Sequence, residues 1–287
     1  LTRPPFLFSL FIRDSIFLYD SCARSWVYYT GSGPGFKKQA LSKKMPKVDQ
    51  IYEGMLIEPP PGEAIIYRNF IEGAGPRAIG VGYQEGVNLA FDANNMRLAM
   101  IWHGNFMDGA RHWIGRGQGN QPPAGSDVIR FPDGACFATL NDRESPWPEA
   151  QYRTKILNFK GYELDGSQKP TFKYKMSGIS ITDNLIPIPS SGDGRPGKIK
   201  RILKFESDDI IKGCHMLLGK GNFKKQGDFY ENEELSVRIL GEIPFIWKNE
   251  LRLPISLEEK RSKVEICLLY TSPSPRDVEE SRMPSSA

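Results

Sequence analysis

The sequence predicts an all-β chain, folded as an antiparallel β-sandwich with few short helices. Three observations carry that expectation. Apolar residues recur at every second position in short runs, as in Val87, Leu89 and Phe91 against Asn88, Ala90 and Asp92. A period of two puts one set on a buried face and the other outside it. Turn chemistry stands at nearly every junction between runs. The runs also alternate apolar with polar instead of being continuously apolar, which disfavours a parallel α/β sheet and a dinucleotide fold. Gly80, Gly82 and Gly86 form a superficial glycine cluster, but no helix follows to turn its N-terminus toward phosphate.

The elements follow in chain order. Residues 1–50 are a poorly defined segment. Phe6 to Tyr19 is apolar but interrupted by Arg13 and Asp14, and reads either as a buried helix or strand of a preceding domain or as frame-shifted sequence. Gly31 to Lys47 carries Gly, Pro and scattered Lys, the composition of a linker leading into a short exposed helix or loop. Its lysines have no interleaved aromatics for base stacking and read as solvated. The β pattern begins at Ile51, and residues 51–266 are expected to form the sandwich domain.

Pro59-Pro60-Pro61-Gly62 stops the chain before a strand over Ala64–Phe70. The meander from Arg77 to Trp102 comes next, with turns at Gln84-Glu85-Gly86 and Ala93-Asn94-Asn95. Gly suits a type I turn plus bulge, and Asn tolerates the left-handed conformation. Met96, Leu98, Met100 and Trp102 are expected on one face of the last meander strand. Further strands are expected over Asp127–Phe131, Ala135–Leu140, Tyr152–Leu164, Thr171–Ile181, Lys198–Phe205, Leu235–Leu240 and Ile243–Trp247. Ile210–Leu218 is the segment between them with a helical reading.

The C-terminus reads differently. Cys267 to Asp277 spells CLLYTSPSPRD, the translation of a transposon-end adapter used in short-read DNA libraries, and Ser281 to Ala287 matches the flow-cell end. Residues 267–287 are therefore expected to be adapter-derived, with the native frame running to about Ile266. Setting aside Arg276, Arg282, Asp277, Glu279 and Glu280 takes the 38 basic and 34 acidic residues to 36 and 31, a formal charge of +5. That is well short of a nucleic-acid binder's footprint, so no nucleic-acid partner is expected. No apolar run is long and uncharged enough to span a bilayer. Cys22, Cys136 and Cys214 make neither a disulfide framework nor a C-x-x-C pair.

One region is dense in chemistry. Trp102, His103, Asp108, Arg111, His112, Trp113, Arg116 and Gln118 fall in a Gly-rich loop that holds two of the chain's three histidines and two of its five tryptophans. A sugar site needs an aromatic face and planar donors and acceptors, which these residue types supply. In the bland alternative, Trp102 and Trp113 close one end of the sandwich and Arg111 pairs with Asp108. His103, Asp108 and His112 lack the helical spacing of a metal site, so no metal is expected. Asp108 with His112 is the acid–base pair an enzyme acting on sugars would use. Gly213-Cys214-His215 ends like a haem-attachment motif, but Ile211 stands where the first cysteine is required. Lys44-Met45-Pro46 reads as a helix end before Pro. No cofactor is expected in this stretch of chain.

The patterns R-A-I-G-V-G, N-L-A-F-D-A-N and D-G-x-x-x-P-T-F-x-Y, spread over Ile51 to Phe205, carry a resemblance. The chain resembles a β-rich domain of environmental bacteria, similar to those at the ends of large secreted proteins with c-type cytochrome and sugar-dehydrogenase-like modules. A weaker analogy is to the supersandwich sheets of mutarotase-like proteins. The resemblance implies an extracytoplasmic setting, haem only on a neighbouring domain, a cytochrome or dehydrogenase module as partner, and a carbohydrate link. It implies no catalytic residues. A non-catalytic accessory or binding domain is the leading expectation. The alternatives are the sugar-acting enzyme and a docking module for a haem-carrying electron-transfer domain.

Overall fold

The computed structural model describes residues 9–12, 15–20, 25–30, 37–40, 55–110, 119–148, 157–190 and 197–270. The chain divides into two units. In the first, β1 (Ser9–Ile12), β2 (Ser15–Asp20), β3 (Ser25–Thr30) and β4 (Lys37–Ala40) form an antiparallel meander in sequence order. Strand β4 lies where the sequence reads as a linker with a helix or loop.

In the second unit, a five-stranded sheet is built from β6 (Ile65–Ile71), β7 (Gly75–Gly82), β8 (Val87–Asp92), β9 (Arg97–His103) and β11 (Ser126–Arg130), in the order β11-β9-β8-β7-β6. Two short strands, β5 (Leu56–Ile57) and β10 (Met107–Asp108), pair beside it. A four-stranded sheet, β12-β17-β22-β21, joins β12 (Phe137–Thr139), β17 (Cys214–Lys220), β21 (Phe245–Trp247) and β22 (Glu250–Pro254). The largest sheet has eight strands: β13 (Leu157–Leu164), β14 (Pro170–Met176), β15 (Ile179–Ile188), β16 (Lys198–Glu206), β18 (Lys224–Gln226), β19 (Phe229–Glu231), β20 (Leu235–Leu240) and β23 (Arg261–Tyr270). Their order is β13-β14-β15-β16-β23-β20-β19-β18.

All pairings within these four sheets are antiparallel. The eight-stranded sheet buries one face, with Phe172 and Tyr174, Ile179 and Ile181, Leu203 and Phe205, and Val264 and Ile266 alternating inward. The other two large sheets cover that face. Phe91 of β8 stacks on Phe172 at 4.1 Å between centroids, and Phe137 of β12 meets Phe205 edge-on at 5.7 Å. Tyr83 seals the layers by donating its hydroxyl to the Leu185 carbonyl at 3.0 Å. This is the expected sandwich. Each fully buried Phe contributes roughly 1.5–3 kcal/mol relative to an exposed one.

Strands β8 and β9 do not have a wet face: Asn88, Asp92 and Arg97 are as buried as Leu89. The second face of the five-stranded sheet carries its own apolar cluster, in which Ala90, Met100 and Trp102 pack with Ile71, Phe106 and Met107. Nor do Met96, Leu98, Met100 and Trp102 share a face. A bulge opposite Ala90 and Phe91 inserts a residue into β9, which flips every side chain beyond it. Met96 and Leu98 enter the main core, as does Ile101, whereas Met100 and Trp102 join the second cluster.

The left-handed residue of the β8–β9 turn is Met96 (φ 50°), not an asparagine. Asp92 holds the turn instead, its carboxylate accepting from the Asn94 and Asn95 amides. The run Thr171–Ile181 is two strands, split by Ser177 and Gly178, both at positive φ. Residues Cys214–Leu218 are strand, not helix. The hydrogen bonds of Asp165 to the Ser167 and Lys169 amides close the expected turn before β14. Strand β23 runs on through Cys267–Tyr270, with Leu268 in the core.

Candidate functional site

The chemistry-dense loop leaves the rim of the five-stranded sheet at the end of β9. Its first turn is fixed from beneath. Trp102 is fully buried; its indole N–H is shared between the Asn105 and Phe106 carbonyls at 3.0 and 3.1 Å. Its ring lies parallel to that of Phe106, 5.9 Å away. Phe106 in turn lies on the backbone of β7, where a Cβ on Gly82 would come 2.7 Å from its ring and one on Gly80 3.2 Å. Gly80 and Gly82 therefore make room for an aromatic ring.

Asn88 bridges two turns: its Oδ1 accepts from the Tyr83 amide and its Nδ2 donates to the Gly104 carbonyl. Gly104 sits at φ 82° and donates to the Gly86 carbonyl. On the far side Gly125 touches the His103 and Asn105 carbonyls so closely that no side chain fits there. His103 places Nε2 2.8 Å from the Gly197 carbonyl. Because a carbonyl only accepts, Nε2 carries the proton. The buried Nδ1 has no hydrogen-bond partner among the described residues.

Asp108 pairs with Leu56, and its Oδ1 accepts from the Ala110 amide at 2.9 Å. Gly109 donates to the Met55 carbonyl. The chain returns at Gln121, whose amide donates to Phe70 and whose carbonyl accepts from Glu72. Gln121 is buried, and its side-chain Oε1 has no partner among the described residues. Of the candidate ligand residues, Trp102 thus has no ring face to offer, His103 is half-buried, and Asp108 is engaged by its own turn. Arg111, His112, Trp113, Arg116 and Gln118 lie outside the described residues. The pairing of Asp108 with His112 that catalysis would need falls there too.

Sequence reading did not find the buried charges. Asp183 and Arg201 form a two-pronged pair at 2.9 and 2.6 Å inside the core, and the Tyr174 hydroxyl donates to the same carboxylate at 2.9 Å. Burial works against the Arg201 charge, but Asp183 outweighs it and holds the guanidinium pKa above its ordinary value. Burial, with the Asp183 charge beside it, likewise keeps the Tyr174 phenol protonated.

Arg97 donates to the carbonyls of Gly73, Phe131 and Pro132, pairs with Asp133, and lies 3.4 Å from Asp92. Arg252 binds Glu250 and the carbonyls of Arg143 and Ser145, with the Trp247 ring 4.5 Å from its centre. The signal was present for one pair: Arg201 sits in phase with Ile199, Leu203 and Phe205, and Asp183 with Ile179, Ile181 and Leu185, the buried sets. Each network spends its hydrogen bonds on structure, Arg97 Nε alone making only an ion-pair contact, with Asp92.

Between Arg97 and Arg201 lies a cavity of about 10 Å³, room for at most one water. Burial pushes the Cys136 thiol beside it, and Cys214, up to about 12. Among the described residues no three His, Cys, Asp or Glu side chains are grouped to hold a metal, and no helix is long and apolar enough to cross a membrane. No protein-family model, curated protein or solved structure matches the chain.

Proposed function

We propose that this chain is a non-catalytic binding domain whose ligand surface is the rim segment from Asn105 to Gln118. Its ligand is a carbohydrate, and its setting is a longer secreted redox protein with cytochrome c or sugar-dehydrogenase-like modules, any haem being on a neighbouring domain. The observation that supports the reading best is the anchoring of both ends of the segment. Trp102, Phe106 and Asn88 fix the outgoing strand, and Gln121 ties the return to Phe70 and Glu72.

The anchors sit on a sheet packed on both faces. Firm ends reduce the ordering cost of binding, and the residues between them, Arg111, His112, Trp113, Arg116 and Gln118, are types that stack on sugar rings and bond hydroxyls.

Calorimetric titration with plant and algal oligosaccharides tests this. Saturable binding is expected, weakened by about 2 kcal/mol, roughly 30-fold, in Trp113→Ala. The unfolding midpoint should stay unchanged. Failure to bind any oligosaccharide, or binding indifferent to the substitution, overturns the reading.

A further inference from the structure

The outward face of the eight-stranded sheet carries an arrangement unconnected with the rim. The register places Lys173 of β14 opposite Thr182 of β15, Thr182 opposite Lys204 of β16, and Lys204 opposite Lys263 of β23. These four residues form one transverse row, with neighbouring strands about 4.8 Å apart. Lys204 and Lys263 are both exposed and directly opposed, a like-charge pairing that destabilises a sheet.

Carboxylates cancel the row only in part, leaving Lys204 unmatched among the described residues. Lys173 is paired with Glu163. Glu265 is shared between Lys200 at 2.6 Å and Lys263 at 2.7 Å. Hydrogen bonds from Lys200 and then Lys263 pull its pKa down to about 2, so it stays ionised. One carboxylate thus serves two ammonium groups. Neither Lys204 nor Lys175, one step along β14, has a carboxylate partner among the described residues.

The strand between the flanking lysines presents Ser180, Thr182 and Asn184 on the same face. Hydroxyls and an amide there both donate and accept. No aromatic ring stands within these rows for bases to stack on. The surplus positive charge is sparse and set among hydroxyl-bonding groups. That matches a polymer with one carboxylate per sugar better than one with a phosphate at every unit or dense sulfation.

We infer that the outer face of β14, β15, β16 and β23 is a binding surface for a linear uronic-acid polysaccharide. Its carboxylates lie along the lysine row and its hydroxyls on β15. Lys204 and Lys263 are exposed, so binding is electrostatic and salt-dependent.

The full chain is titrated with polygalacturonate, its fully methyl-esterified form, heparin and oligo(dT), alongside the double variant Lys204→Gln/Lys263→Gln. Polygalacturonate is expected to bind, and to be lost in about 1 M salt, where the Debye length is about 3 Å. The double variant should bind about tenfold more weakly, the loss expected from two surface charge contacts. Its unfolding midpoint should be unchanged or higher, since a repulsive pair has gone. The inference is overturned by equal binding of the esterified polymer, by tighter binding of heparin or oligo(dT), by undiminished affinity in the variant, or by no binding of polygalacturonate.

Discussion

Arg201 and Asp183 set the terms on which this interior accepts charge. They are diagonal neighbours on β16 and β15, Arg201 facing Leu185 and Asp183 facing Leu203. Both are almost fully buried, and Tyr174 completes the set. A buried pair contributes little net stability when whole, because desolvation offsets the attraction, yet breaking it strands a charge. Asp183→Asn is therefore expected to cost about 3–5 kcal/mol in urea unfolding, since Arg201 keeps its charge without a counter-ion. Replacing the group together, by Asp183→Leu, Arg201→Met and Tyr174→Phe, should cost less than the single change. A triple variant weaker than Asp183→Asn would mean that the ion pair itself is a net source of stability.

At the scale of the element, the rim depends on how closely β7 lets Phe106 approach. A methyl on Gly82 would lie within 2.9 Å of both Phe106 and Ile65, whereas one on Gly80 meets nothing nearer than 3.1 Å. Gly82→Ala is accordingly expected to destabilise by about 1–3 kcal/mol and Gly80→Ala by less, with Phe106→Leu restoring part of the Gly82→Ala loss. Thermal unfolding of the three variants checks the order.

The same strands mark where sequence pattern stops being informative. Val87, Leu89 and Phe91 were legible as a core face because β8 keeps its phase throughout. Strand β9 was not, because a bulge shifts its phase after Leu98 and no residue type there announces it. Ser177-Gly178 did carry a turn signal, hidden inside an otherwise continuous alternation. For the site, residue types showed that a chemistry-rich loop leaves β9. They could not tell that Trp102 points inward to hold it, since an indole that anchors and an indole that stacks on ligand look alike in sequence.

At the scale of the molecule, the two parts of the eight-stranded sheet are joined through β23. Strand β23 bonds β16 on one side and β20 on the other, and turns Val264, Ile266 and Leu268 into the core. Its first six residues, Arg261–Ile266, already turn Val264 and Ile266 inward between more exposed neighbours. The next four, Cys267–Tyr270, are read from sequence as adapter, yet they keep the phase of Val264 and Ile266 and extend the ladder on both sides. A run with the right period extends a strand whatever its origin.

Two shortened chains separate these contributions. Ending at Ile266 removes Leu268 from the core and the pairing of four residues, and is expected to leave a folded protein weaker by about 2–5 kcal/mol. Ending at Lys260 removes the whole strand. The edges of β16 and β20 are then exposed, and the apolar sides of both half-sheets lose a neighbour. Urea unfolding and size-exclusion chromatography should then find no cooperative transition and no monomer. A cooperative, monomeric chain ending at Lys260 would show that the two halves of the sheet do not need β23 between them.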